Sequence, residues 1–141
     1  MNQKNHKRVP GSPAEWLSHA ESDLRLARLA ANDPQIIPGQ ICFHVQQAAE
    51  KSIKAAMLFR GIEFPLTHDI EELLEIAEDQ GFLVTEEVQE ATHLTPYAVE
   101  TRYPGYCEEI TKDDVKNALR IAEQTVSWAK DVLSGKKGED S

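Results

Sequence analysis

Cys42 to Ala55 reads CFHVQQAAEKSIKA, and the spacing in this stretch decides the fold. Ile41, Val45, Ala48, Ser52, Ala55 and Phe59 recur at helical intervals and form one stripe. Gln40, His44, Gln47, Lys51 and Lys54 form a second stripe of amides, an imidazole and ammonium groups. A solvated helix face mixes both charge signs. This one does not, and the small residues beside it let another helix come close. A helix is expected from about Gln40 to Arg60, roughly 31 Å long at about 1.5 Å per residue. Gly61 supplies the left-handed residue that ends it.

Working outward, four more helical segments appear and no strand. Ser12, Pro13 and Glu15 make a capping box with proline at the first helical position. Leu17, Ala20, Leu24, Ala27 and Ala31 give that first helix its apolar stripe, and Asn32-Asp33-Pro34 ends it. Ile36-Ile37-Pro38-Gly39 reads as a loop. A third helix follows Thr67, with Asp69 in its first turn, and buries Ile70, Leu73, Leu74 and Ala77 up to Gly81. Phe82, Leu83 and Val84 read as a short buried connection. Thr85 caps a fourth helix, in which Pro96 removes a donor and clashes with the carbonyl of Thr92. A kink or break there is expected to turn Tyr97 to Arg102 away from the line of Glu86 to His93. Pro104-Gly105 then forces a turn. The fifth helix starts at Thr111, with Asp114 three later, and carries Val115, Ala118, Ile121, Ala122, Thr125, Ala129 and Val132 to Gly135. Short connections between long amphipathic helices predict an all-α, up-and-down antiparallel bundle of about five helices with a four-helix-bundle-like core.

Length and composition agree with one domain. The 141 residues suffice for a core without disulfides. The domain is expected over 12–134, between a mobile N-terminal arm (1–11) and a mobile tail (135–141). No apolar run approaches the length of a membrane span, and the N-terminus lacks a signal core. Cys42 and Cys107 stand in no metal-ligand spacing and read as reduced thiols of a cytoplasmic protein. The net charge of −9 argues against general nucleic-acid binding. Nine acidic residues and no lysine or arginine lie between Asp69 and Glu90, which reads as a solvated acidic face. Lys51, Lys54, Arg60 and Arg102 lie outside that block and leave room for a local anion site.

Three motifs occur in order: FHxQQAAEKxxKA from Phe43, THDIxxLL from Thr67 and YxxxxRYPG from Tyr97. In this order they resemble the HEPN family, small all-helical domains of prokaryotes and higher eukaryotes linked to nucleotide binding. The resemblance spans roughly Glu15 to Leu133. It implies a helical bundle and a homodimer. It also implies a partner: many small HEPN proteins act with a minimal nucleotidyltransferase as a two-protein, toxin–antitoxin-like module. In some pairs the transferase adds AMP to a tyrosine near the Arg motif. Tyr103 and Tyr106 are candidate acceptors by proximity, although that motif's tyrosine spacing falls on Glu109 here. HEPN ribonucleases instead carry Arg, four to six residues, then His. Arg102 matches the Arg, but positions 107 to 109 hold Cys107, Glu108 and Glu109. The imidazole suited to proton transfer near neutral pH is missing. A ribonuclease acting on RNA through a degenerate motif stays as the alternative, and a non-catalytic interaction module as a third reading.

Arg102, Tyr103, His44, Gln47 and Lys51 are the expected nucleotide or substrate residues. The guanidinium of Arg102 can grip a phosphate or carboxylate in two-point fashion. It can equally pair with an acidic residue across the bundle or a dimer interface. Tyr103 can likewise pack against helix two through a hydrogen-bonded hydroxyl. His44 and Gln47 read as buried hydrogen-bonded groups or a dimer seam. Lys54 reads as solvated, in an i,i+4 pair with Glu50. His68 and Asp69 read as a helix start. No metal site, cofactor site or Gly-rich phosphate loop is expected.

Overall fold

The structure is a computed structural model and describes residues 11–98 and 109–135. Five α-helices and one 3-10 segment account for the regular structure: α1 (Pro13–Ala31), α2 (Pro38–Phe59), α3 (Ile70–Asp79), α4 (Glu86–Gln89), the 3-10 segment (Glu90–Ala98) and α5 (Lys112–Ser134). No strand occurs among the described residues. The all-α bundle expected from the periodicity is what forms.

Local chemistry starts each helix. Ser12 and Glu15 exchange side-chain bonds with each other's backbone N–H at the head of α1, and Thr111 and Asp114 do the same for α5. Two starts differ from expectation. Pro38 and Gly39 belong to the first turn of α2, because a proline there lacks only an N–H that no intrahelical acceptor would use. Asp69 stands just outside α3 as its cap, its Oδ1 accepting from Glu71 N at 3.1 Å.

The ends of α2 and α3 share one device. Gly61 and Gly81 take φ of 74° and 89°. Ile62 N then bonds back to Met57 O at 2.8 Å, and Phe82 N to Ala77 O at 3.0 Å. These are Schellman closures, and each tucks the next apolar residue, Ile62 or Phe82, into the core. Of the expected buried connection after α3, only Phe82 is fully enclosed; Leu83 is exposed. Phe82 lies 5.3 Å from the Trp128 ring of α5, centroid to centroid.

The fourth helix breaks earlier than Pro96. After Gln89 the chain tightens into 3-10 geometry that runs through Pro96 to Ala98. Thr95 points its Oγ1 at Ile70 N (3.1 Å), which ties this segment to the start of α3. The expected course of Tyr97 to Arg102 falls partly outside the described residues.

α2 sits at the centre, packed against α1, α5 and the 3-10 segment. Fourteen of its 22 residues are buried, so it is covered on nearly every side. Alanines make this possible: Ala48, Ala49, Ala55 and Ala56 of α2, Ala20 and Ala27 of α1 and Ala118, Ala122 and Ala129 of α5 are all buried, and helices lined with such small residues can approach closely. Phe59, placed on the apolar stripe by its spacing, is instead 47% exposed, because the stripe rotates off the bundle in the last turn. Ala31 of α1 is exposed for the same reason.

Contacts fix the directions. Trp16 lies beside Lys54 while Asp23 meets His44, so α1 and α2 are antiparallel. Glu21 pairs with Lys130 and Arg28 with Glu123, so α5 is antiparallel to α1 as well. α2 and α5 therefore run the same way, and the elements between them carry the chain back.

A cavity-free test of the closures is available at Gly61, where an added Cβ meets nothing within 4 Å. Gly61→Ala should cost about 1–2 kcal/mol through backbone strain alone, with Gly61→Asn milder. Urea unfolding of the two variants measures the difference.

Candidate functional site

Apart from Gln40, which is exposed, the polar stripe of α2 does not face open solvent. It lies along the edge shared with α1, and two carboxylates organise it. Asp23 of α1 takes one partner on each oxygen: His44 Nδ1 lies 3.2 Å from Oδ1, and Lys51 Nζ donates to Oδ2 at 2.8 Å. Because a carboxylate only accepts, His44 carries its proton on Nδ1 in this pairing and turns Nε2 away from Asp23. His44 also meets Phe43 edge-on, with ring centroids 5.3 Å apart.

Glu50 organises the other side and is buried. Its Oε1 accepts from Gln46 Nε2 at 2.9 Å and lies 3.0 Å from His68 Nδ1, while Oε2 accepts from Lys54 Nζ at 2.7 Å. Gln46 in turn accepts from Gln47 Nε2 at 2.8 Å. The ammonium of Lys54 sits 5.7 Å from the Trp16 ring and 5.4 Å from that of Phe64. Two aromatic faces thus complete the shell of a cation that water scarcely reaches. The solvated reading of Lys54 is corrected here: its i,i+4 pair with Glu50 exists, but inside the bundle, with 6% and 4% side-chain exposure.

His44 and Lys51 therefore share Asp23, whereas Gln47 bonds to Gln46 and belongs to the Glu50 system. His44 and Gln47 are hydrogen-bonded and half-buried, not fully enclosed. Arg102, Tyr103, Tyr106, Cys107 and Glu108 lie outside the described residues, and Glu109 is exposed. His68 does more than open α3, since it closes the shell of Glu50. Sequence reading assigned no role to Trp16, Asp23 or Gln46. Gln46 and Glu50 carried a readable signal, because they stand in line with Ile53 and Met57 on an otherwise apolar face. Asp23 carried none until α1 was docked. No cluster of metal-ligating side chains occurs among the described residues, and none of the described helices is long and apolar enough to cross a membrane.

Cys42 marks the other end of α2. Its thiol is buried and is pushed up to about 12, first by burial and then by the carboxylate of Asp114, against a hydrogen bond with Tyr97 that lowers it. Burial, followed by the nearby Cys42 and Asp114, raises Tyr97 as well. Burial disfavours the thiolate, the form that reacts.

Two predictions follow from this geometry. Glu50→Ala should cost about 3–5 kcal/mol, because it leaves Lys54 buried and unpaired. Replacing both partners, Glu50→Leu with Lys54→Met, should recover much of that loss in denaturant titrations. For Cys42, the folded thiol binds its proton more tightly than the unfolded one, so stability is unaffected at lower pH. It should fall as pH rises from 9.0 toward about 12, where only the unfolded thiol has ionised. Iodoacetamide labelling of a Cys107→Ser protein at about pH 8 should accordingly proceed only on unfolding.

The sequence matches the family model of the HEPN domain over residues 13–132. A crystal structure described as an archaeal HEPN homologue superposes with a TM-score of 0.68 at 28% identity, covering 88% of this chain and 99% of that one. No curated protein matches the chain. With the helical bundle and the α2 motif in place, the chain belongs to the HEPN domain family.

Proposed function

We propose that the chain acts as the HEPN partner of a minimal nucleotidyltransferase in a toxin–antitoxin-like module, offering that enzyme a nucleotide or substrate surface. His44, Gln47 and Lys51 form the part of that surface on α2, and Arg102 and Tyr103 are its further members. The transfer chemistry belongs to the partner, and the chain itself works as a cytoplasmic homodimer. Support comes from one observation above all. Asp23 holds an imidazole and an ammonium at fixed positions on a half-buried face. His44 gives its Nδ1 proton to Asp23 while Lys51 keeps donors to spare, so a pre-set ammonium meets an anionic group with little further ordering.

Intact mass after incubation with the neighbouring nucleotidyltransferase and ATP tests the proposal. A gain of one or more AMP units is expected, with peptide mapping placing it on Tyr103 or Tyr106. Arg102→Ala should lower the transfer at least about tenfold, the equivalent of about 1.4 kcal/mol, while leaving thermal stability nearly unchanged. An unchanged mass with an active transferase overturns the module.

A further inference from the structure

A second edge of the bundle, between α4 and α5, holds a cleft that shares no residue with the α2 face. Its volume is about 470 Å³, in the range small organic ligands occupy. Along α5 its lining runs from Arg120 to Asp131, about 16 Å at the helical rise, so the cleft is an elongated trough. Its floor is apolar: Val88 of α4 and the Trp128 ring are both buried. Its rims are anionic. Glu87 stands on the α4 side, exposed and with no partner among the described residues. Glu123 stands on the α5 side and gives Oε2 to Arg28 at 2.9 Å, which leaves Oε1 to accept. Asp131 adds a carboxylate at the far end. Arg120 is the one cation lining the trough among the described residues, and its bonds go outward to Glu90 and Asn117. Gln124 sets this place apart from a merely acidic surface. It lines the trough, and its Oε1 is enclosed yet meets no donor. A buried acceptor left without a donor is costly, and a ligand N–H in the trough would satisfy it.

We propose that this trough binds a linear aliphatic polyamine, its methylenes on Val88 and Trp128 and its ammonium groups on Glu87, Glu123 and Gln124 Oε1. The class follows from the order of the lining. Carboxylates on both rims call for positive charge at more than one point. No group of side chains among the described residues is spaced to hold a metal ion, so the charges have to be spread along a chain. An apolar floor between the rims calls for hydrocarbon between those charges, as lysine stems lie along apolar surface with their heads on polar groups. The carboxylates repel an anion, and a neutral chain leaves them unmet. An ammonium only donates, which suits a lining that offers acceptors. The run from Asp69 to Glu90, acidic and without lysine or arginine, includes Glu87 and draws cations toward this side of the molecule.

Isothermal titration of the full-length chain with spermidine, in about 0.15 M salt to screen diffuse attraction, tests the proposal. A single saturable event with a midpoint below about 1 mM is expected. Butylamine, with one charge, should bind at least about tenfold more weakly, and magnesium ion at equal concentration should not displace spermidine. Glu87→Gln and Gln124→Leu should each raise the midpoint at least about threefold. Gln124→Leu should do so without lowering the melting temperature, since Oε1 has no bond within the protein to lose. Ser127→Arg, at an exposed position in the trough, should abolish binding. Glu71→Gln removes the same charge from the exposed face of α3, outside the trough, and should leave the midpoint unchanged. The proposal is overturned by the absence of saturable heat up to about 10 mM spermidine. It is equally overturned if magnesium displaces the amine, or if Glu71→Gln weakens binding as much as Glu87→Gln, because the acidic face alone then holds the cation. The two-protein module rests on other residues and stands or falls separately.

Discussion

A carboxylate enclosed by a helical bundle has to be neutralised where it stands, and the charge of Glu50 is met inside the bundle. Lys54, one turn along the same helix, supplies the opposite charge, and Gln46 and His68 supply the remaining donors. Breaking any such set leaves a charge or a polar group without solvent, which costs more than the pair contributes. The surrounding elements are constrained accordingly. Trp16 of α1 and Phe64 of the loop after α2 must both reach Lys54, and His68 must return to α2 before α3 begins. One buried carboxylate thus connects three separate stretches of chain.

The alanine surfaces make that arrangement geometrically possible. A helix covered on nearly every side can carry three long polar side chains inside, Gln46, Glu50 and Lys54, only if its neighbours approach closely elsewhere. Small residues on α1, α2 and α5 provide the approach. They also explain why α5 can lie beside both α1 and α2. The parallel course of α2 and α5 needs a long return, and α3, α4 and the 3-10 segment supply it. Pro96 and the early break at Gln89 fit an element whose task is to span and cap, not to add another full-length helix.

The proposed function rests on the edge between α1 and α2. The same helix that buries Glu50 and Lys54 presents His44, Gln47 and Lys51 one face over. The buried pair anchors the helix, and Asp23 holds the half-buried His44 and Lys51. Rigid scaffolding behind a half-buried polar face is what recognition of a small anion needs. That the polar residues divide into a structural set and a presented set could not be seen from their spacing, since Lys51 and Lys54 look alike on a helical wheel.

Sequence by itself determined most of the helices, caps and stops, though not the start of α2 at Pro38 or the end of α4 at Gln89. These depend on neighbours within a few residues: Ser12 with Glu15, Thr111 with Asp114, and the glycines at positions 61 and 81. It also carried the family, through motifs whose order survives without coordinates. It placed His44, Gln47 and Lys51 on one face, because helical spacing is a local property. Only the tertiary structure decided which charges are buried. Lys54 is enclosed because Trp16 and Phe64, distant in sequence, close over it, and Asp23 becomes the hub of the presented face only once α1 docks antiparallel to α2. Burial and long-range pairing depend on how helices meet, and that is a sum over contacts no local pattern contains.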